Sequence, residues 1–134
     1  GVTLGPEAAF RFARGEEVTT SNGERFKLAR PLDWLVVSDH SDGMGAMKEI
    51  IAGNPNLLKD PEVKDWHTAM RKGGEAAFQA TMEVINAFSQ GKVPAVVLDR
   101  TFQQTVWDDY IDIAESYNEP GRFTTIIGYE WTAT

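Results

Sequence analysis

The sequence predicts an α/β fold, and three observations carry that reading. Two short runs, Trp34-Leu35-Val36-Val37 and residues 123–129, are apolar almost throughout and partly β-branched. Such runs suit strands buried on both faces, as in a parallel sheet. Between them, apolar residues recur every three or four positions, the spacing of amphipathic helices. The order is helix, hairpin, strand, several helices, strand, which leaves too few core strands for a closed barrel. A partial slice of an α/β fold is therefore expected, with few parallel core strands, several helices and a small hairpin. The 134 residues suit one domain, 1–134.

Residues 6–14 open the chain as a short helix. Pro6 suits its first turn, Glu7 complements the positive helix end, and Ala9, Phe10 and Ala13 share a face. Residues 17–30 predict a hairpin, because Ser21-Asn22-Gly23 separates Val18 and Thr20 from Phe26 and Leu28. The strand at Trp34 runs straight into polar Ser38-Asp39-His40-Ser41-Asp42-Gly43. Residues 45–51 predict a helix with Met47, Ile50 and Ile51 inward, ended by Asn54-Pro55. Asp60-Pro61-Glu62 is a helix start: Asp caps, Pro takes the first position, Glu meets the dipole. Val63, Trp66 and Met70 share the face that follows, and Gly73-Gly74 interrupts it. Phe78, Met82, Ile85 and Phe88 form the stripe of the next helix, over residues 75–89. Pro94 turns the apolar run 93–98 into an expected packed loop. Thr101-Phe102-Gln103-Gln104 reads as a capping box for a helix to Tyr117, with Phe102, Val106, Tyr110 and Ile113 buried. The second strand follows a turn at residues 118–121 and carries Glu130 at its end.

Composition excludes several classes. Thirteen basic against 20 acidic residues, a net charge of -7 and a pI near 4.8 argue against nucleic-acid binding and against docking to an anionic membrane. The absence of cysteine excludes disulfides, thiolate metal sites and cysteine nucleophiles. No apolar run is long enough to span a bilayer. The chain opens on Gly1 and ends at Thr134, soon after an apolar strand; a piece of a larger domain is expected, and compartment is left open.

Asp39, His40 and Glu130 are the residues with chemistry to offer. Each follows an apolar strand, and in a parallel sheet the carboxyl ends of the strands share one side. Imidazole with carboxylates suits zinc, manganese or iron. Turn-capping roles for Asp39 and His40, and a surface role for Glu130, are the plainer alternative. A His40 to Glu130 separation within about 6 Å would admit a shared metal, given ligand bonds of about 2.0 to 2.2 Å. Paired carboxylates, Asp39 and Glu130, would instead suit glycoside hydrolysis.

Residues 11–20 (RFARGEEVTT), 28–40 (LARPLDWLVVSDH) and 127–132 (IGYEWT) together resemble a bacterial family, domain of unknown function 3604. That family is similar to the PHP (polymerase and histidinol phosphatase) metal-dependent phosphoesterases. The resemblance covers most of the chain and is weakest over residues 52–100. It implies a distorted, TIM-like α/β barrel with metal ions at the carboxyl ends of its strands. His40 would be a metal ligand, Glu130 a bridging ligand, and Asp39 a minor ligand or a residue behind them. Glu130 and Asp39 would then carry the catalytic chemistry. It implies a hydrolase in which metal-activated water attacks a phosphate ester. The family's His-x-His is absent from these 134 residues, so one copy of this chain cannot complete the site, and the chain alone is expected to be inactive. A non-catalytic binding or structural module is the alternative.

Lesser candidates have simpler explanations. Asp42 suits a solvated loop, His67 an amphipathic helix, and Ser38 and Ser41 lack a nucleophile elbow. Asp108, Asp109 and Asp112 suit a solvated helix face. The expected partners are a small-molecule or phosphate-ester substrate and a second copy of the chain, joined through exposed sheet edges.

Overall fold

A computed structural model describes residues 4–41 and 43–131. The chain divides into two compact units. Among the described residues, one takes those up to His40 and those from Trp107 to Trp131; the other lies within Ser41–Val106.

The first unit holds helix α1 (Pro6–Ala13), the hairpin strands β1 (Val18–Thr19) and β2 (Arg25–Phe26), and strand β3 (Trp34–Val37). In α1, Pro6 takes the first turn after Gly5, and Phe10 and Ala13 are its buried residues. The hairpin pairs Val18 with Phe26 and Thr19 with Arg25. Gly23 sits in its turn at φ 83°, where a side chain would be strained. The hairpin is a surface feature: Phe26 is exposed and Arg25 pairs with Glu17.

The second unit begins with α2 (Ala46–Ala52). Gly53, at φ 80°, ends it ahead of Asn54-Pro55. Amides of Gly53 and Asn54 return to the carbonyls of Ile50 and Glu49, a left-handed cap that glycine makes cheaply. Ala46 and Ile50 are its buried residues, whereas Ile51 is exposed rather than inward: one residue on is a rotation of about 100°. A 3-10 turn, Leu57–Lys59, leads to α3 (Pro61–Lys72). The Asp60 carboxylate accepts from the Glu62 and Val63 amides, as its cap role requires. Gly73 and Gly74, both at positive φ, separate α3 from α4 (Gly74–Ser89).

The inward face of α4 is not the predicted one. Ala80 and Val84 are buried, while Phe78, at 58% exposure, Met82 and Ile85 face solvent; of the stripe, only Phe88 packs on the core. Helices α3 and α4 pack together, and a small-residue face permits close approach where the larger side chains would not. Residues 95–98 form a 3-10 turn, neither strand nor plain loop, and bury Val97.

Helix α5 (Arg100–Tyr117) starts before the predicted capping box. The Asp99 carboxylate accepts from the Phe102 amide, so Asp99 makes the cap contact assigned to Thr101. Of its predicted core residues only Tyr110 is buried, joined by Ala114; Phe102, Val106 and Ile113 are half-buried.

From Trp107 onward α5 belongs to the first unit, with strand β4 (Thr124–Ile127). Strands β3 and β4 are parallel, Trp34 opposite Thr124 and Val37 opposite Ile127. Leu35, Val37 and Ile127 lie over a core of Phe10, Ala13, Tyr110, Ala114 and Phe123. The opposite face is not buried as the sequence suggested: Trp34 is 57% exposed and Ile126 is also exposed. Among the described residues no third strand joins this pair, and no barrel closes.

Candidate functional site

The site grows out of the parallel register. Past Val37 and Ile127 the strands stop, yet His40 still pairs with Glu130 in the same register. The Glu130 amide donates to the Asp39 carbonyl at 2.7 Å, closing the two segments together. His40 Nδ1 lies 3.8 Å from Glu130 Oε2, with both side chains well exposed. The distance condition for a shared metal, about 6 Å, is met.

Strand alternation sorts the neighbouring side chains by face. His40 and Glu130 follow the parity of Val36 and Ile126, the uncovered face. Asp39 and Tyr129 follow the parity of Val37 and Ile127, the helix-covered face. The Tyr129 ring accordingly meets Trp107 of α5 edge-on at 6.0 Å, and Trp107 lies 5.5 Å from the Tyr110 ring. Asp39 is close enough for its charge to act on the Tyr110 phenol. Burial, first of all, raises the Tyr110 pKa above its ordinary value, and the Asp39 charge adds to it. By this parity Asp39 is set apart from His40 and Glu130.

Sequence reasoning passed over Tyr110 as anything but core. Its hydroxyl donates to the Val37 carbonyl at 2.6 Å. The signal was available: a tyrosine on an apolar helix face needs a partner for its O–H.

The remaining candidates fall into structural roles or outside the described residues. His67 Nδ1 sits 2.7 Å from the Ile50 carbonyl, and its ring packs where a Gly53 Cβ would stand. A carbonyl only accepts, so Nδ1 carries the proton and helps satisfy the end of α2. Asp42 lies outside the described residues. Asp108, Asp109 and Asp112 are exposed on α5. No helix among the described residues is long and apolar enough to cross a membrane. The described residues contain no group of three or more His, Cys, Asp or Glu placed to hold a metal ion. The donor pair thus fits a divalent metal in kind and supplies only part of a coordination shell.

Taken together, this is an α/β chain with an imidazole and a carboxylate at the carboxyl ends of two adjacent parallel strands. It belongs to the family described as "Protein of unknown function (DUF3604)", whose model matches residues 1–134. No curated protein and no solved structure matches the chain.

Proposed function

We propose that His40 and Glu130 are two ligands of a divalent metal centre, zinc, manganese or iron, in a hydrolase acting on phosphate esters. The observation that carries this reading is the 3.8 Å approach of imidazole to carboxylate at the ends of adjacent parallel strands. Carboxyl ends of parallel strands are where α/β folds build their sites. The similarity to PHP phosphoesterases supports it from the sequence side, and so does the sheet. One face of β3 and β4 is covered by helices and the other presents Trp34 and Ile126, as the inner face of a larger barrel would. Further strands of such a barrel would supply the ligands this chain lacks.

A metal held there would lower the pKa of a bound water and clamp phosphoryl oxygens. The chain's own part is to hold an imidazole nitrogen and a carboxylate oxygen on one face. The main-chain bond from Glu130 to Asp39 fixes their register. A non-catalytic reading draws on the same bond, since it also closes a turn.

Metal titration separates the two. Mn2+ added to the chain should bind weakly at His40 and Glu130 and drive no useful hydrolysis. His40→Ala and Glu130→Gln should each abolish that binding while leaving the fold intact, because both side chains are exposed. In a complete barrel the same changes should abolish metal-dependent phosphate-ester hydrolysis. Unchanged metal binding in both variants would return the pair to a turn-closing role.

A further inference from the structure

Tyr110 stands where both strands give way to the residues of the site. Its ring is buried and its hydroxyl donates to the carbonyl of Val37, the last residue of β3. That carbonyl lies two residues before the Asp39 carbonyl, which accepts the Glu130 amide. The phenol thus ties the end of β3 to α5, three residues before His40. Trp107 braces the Tyr110 ring from one turn earlier in α5 and meets Tyr129, which adjoins Glu130. Packing alone does not require a hydroxyl: phenylalanine would fill the same ring volume.

Taking His40 and Glu130 as the ligand pair proposed above, we infer that Tyr110 is a positioning residue, whose hydroxyl holds the end of β3 on α5 and so sets the Asp39 carbonyl and His40 where Glu130 meets them. Tyr110 touches neither side chain's reactive atoms. It acts through main-chain atoms, as the groups behind metal ligands commonly do when they fix ligand orientation. Without the hydroxyl, the Val37 carbonyl loses its side-chain partner, and the Glu130 to Asp39 bond two residues on loses its brace.

The test uses the whole chain and Tyr110→Phe, which keeps the ring. Amide hydrogen exchange by NMR reads the positioning directly. The Glu130 amide should exchange about tenfold faster in the variant, the scale of one lost hydrogen bond. The amides of Val36 and Ile126, within the strands, should keep wild-type rates. Mn2+ titration reads the consequence. Paramagnetic broadening of the His40 ring, with His67 as internal reference, should need about tenfold more Mn2+ in the variant.

An unchanged Glu130 exchange rate would overturn the inference. So would equal acceleration of all strand amides, which would mark a general contribution to stability. An unchanged Mn2+ midpoint, when wild type binds, would overturn it as well. If Mn2+ leaves His40 of the wild-type chain untouched, the metal reading falls by itself, and Glu130 exchange alone then decides whether Tyr110 sets the register.

Discussion

The two units solve the problem of burying a core in opposite ways. Residues 41–106 do it locally: α2, α3, α4 and two 3-10 turns close an aliphatic core of Ile50, Leu57, Val63, Val84 and Val97, with Trp66 beside them. The other unit draws on distant segments, setting α1 and β3 against the later part of α5 and β4 around aromatic residues. The helical unit meets its backbone hydrogen bonds within each helix. The sheet unit cannot, because each of its two parallel strands has an unpaired edge among the described residues. Candidate chemistry sits on the second kind of unit. A parallel pair brings residues far apart in sequence to the same end, whereas sequence-local helices mainly bring near neighbours together.

The largest effects should come from the cores. Phe10→Ala removes a fully buried ring that stacks on Tyr117 at 5.8 Å, and should cost about 3 to 5 kcal/mol by denaturant unfolding. Leu57→Ala in the helical core should cost about 2 to 5 kcal/mol. A cost under about 1 kcal/mol for either would break the assignment of that core.

Self-association should distinguish the units next. Open strand edges beside the exposed Trp34 and Ile126 invite a second copy of the chain. Sedimentation at high concentration should show dimer, and Trp34→Lys should weaken it. A clean monomer in the parent chain would mean that these edges are already protected.

Alkaline unfolding should then single out Tyr110. Its folded pKa is raised, chiefly by burial, so its protonated form is favoured by folding. The stability this contributes is whole below the ordinary tyrosine value, about 10, and is lost as pH rises through the folded value. Wild type should therefore lose more stability than Tyr110→Phe above that pH. Parallel curves for the two proteins would show the phenol to be free of burial strain on its ionisation.

The smallest effect is expected at the stripe that the sequence suggested was core. Phe78→Ser, on the exposed face of α4, should stay within about 0.5 kcal/mol of the parent. A loss of several kcal/mol would restore Phe78 to a core.

The errors in the sequence reading share a cause. Periodicity located α4, but Phe78, Met82 and Ile85 share one apolar stripe and Ala80 and Val84 belong to another face. Hydrophobicity alone ranks the larger residues first. Close packing against α3 favours the smaller ones, and that choice depends on a neighbour rather than on the helix itself. Ile51 and the half-buried Ile113 were misjudged for the same reason. The Asp99 cap and the exposed sheet face likewise depend on where a helix begins and what lies opposite a strand.

What the sequence determined by itself is local. Pro6, Asp60-Pro61, Asn22-Gly23 and Gly73-Gly74 fix starts, turns and breaks through backbone geometry that neighbours in the chain already dictate. The apolar runs fix two strands, and their polar ends mark His40 and Glu130 as residues with chemistry. Their apolar character also predicted a parallel pair, which the structure bears out; only the tertiary structure decided the register. Pairing between residues ninety positions apart depends on long-range closure, which no local pattern encodes. That register places imidazole beside carboxylate, and a helix from elsewhere in the chain gives the end of β3 the Tyr110 hydroxyl.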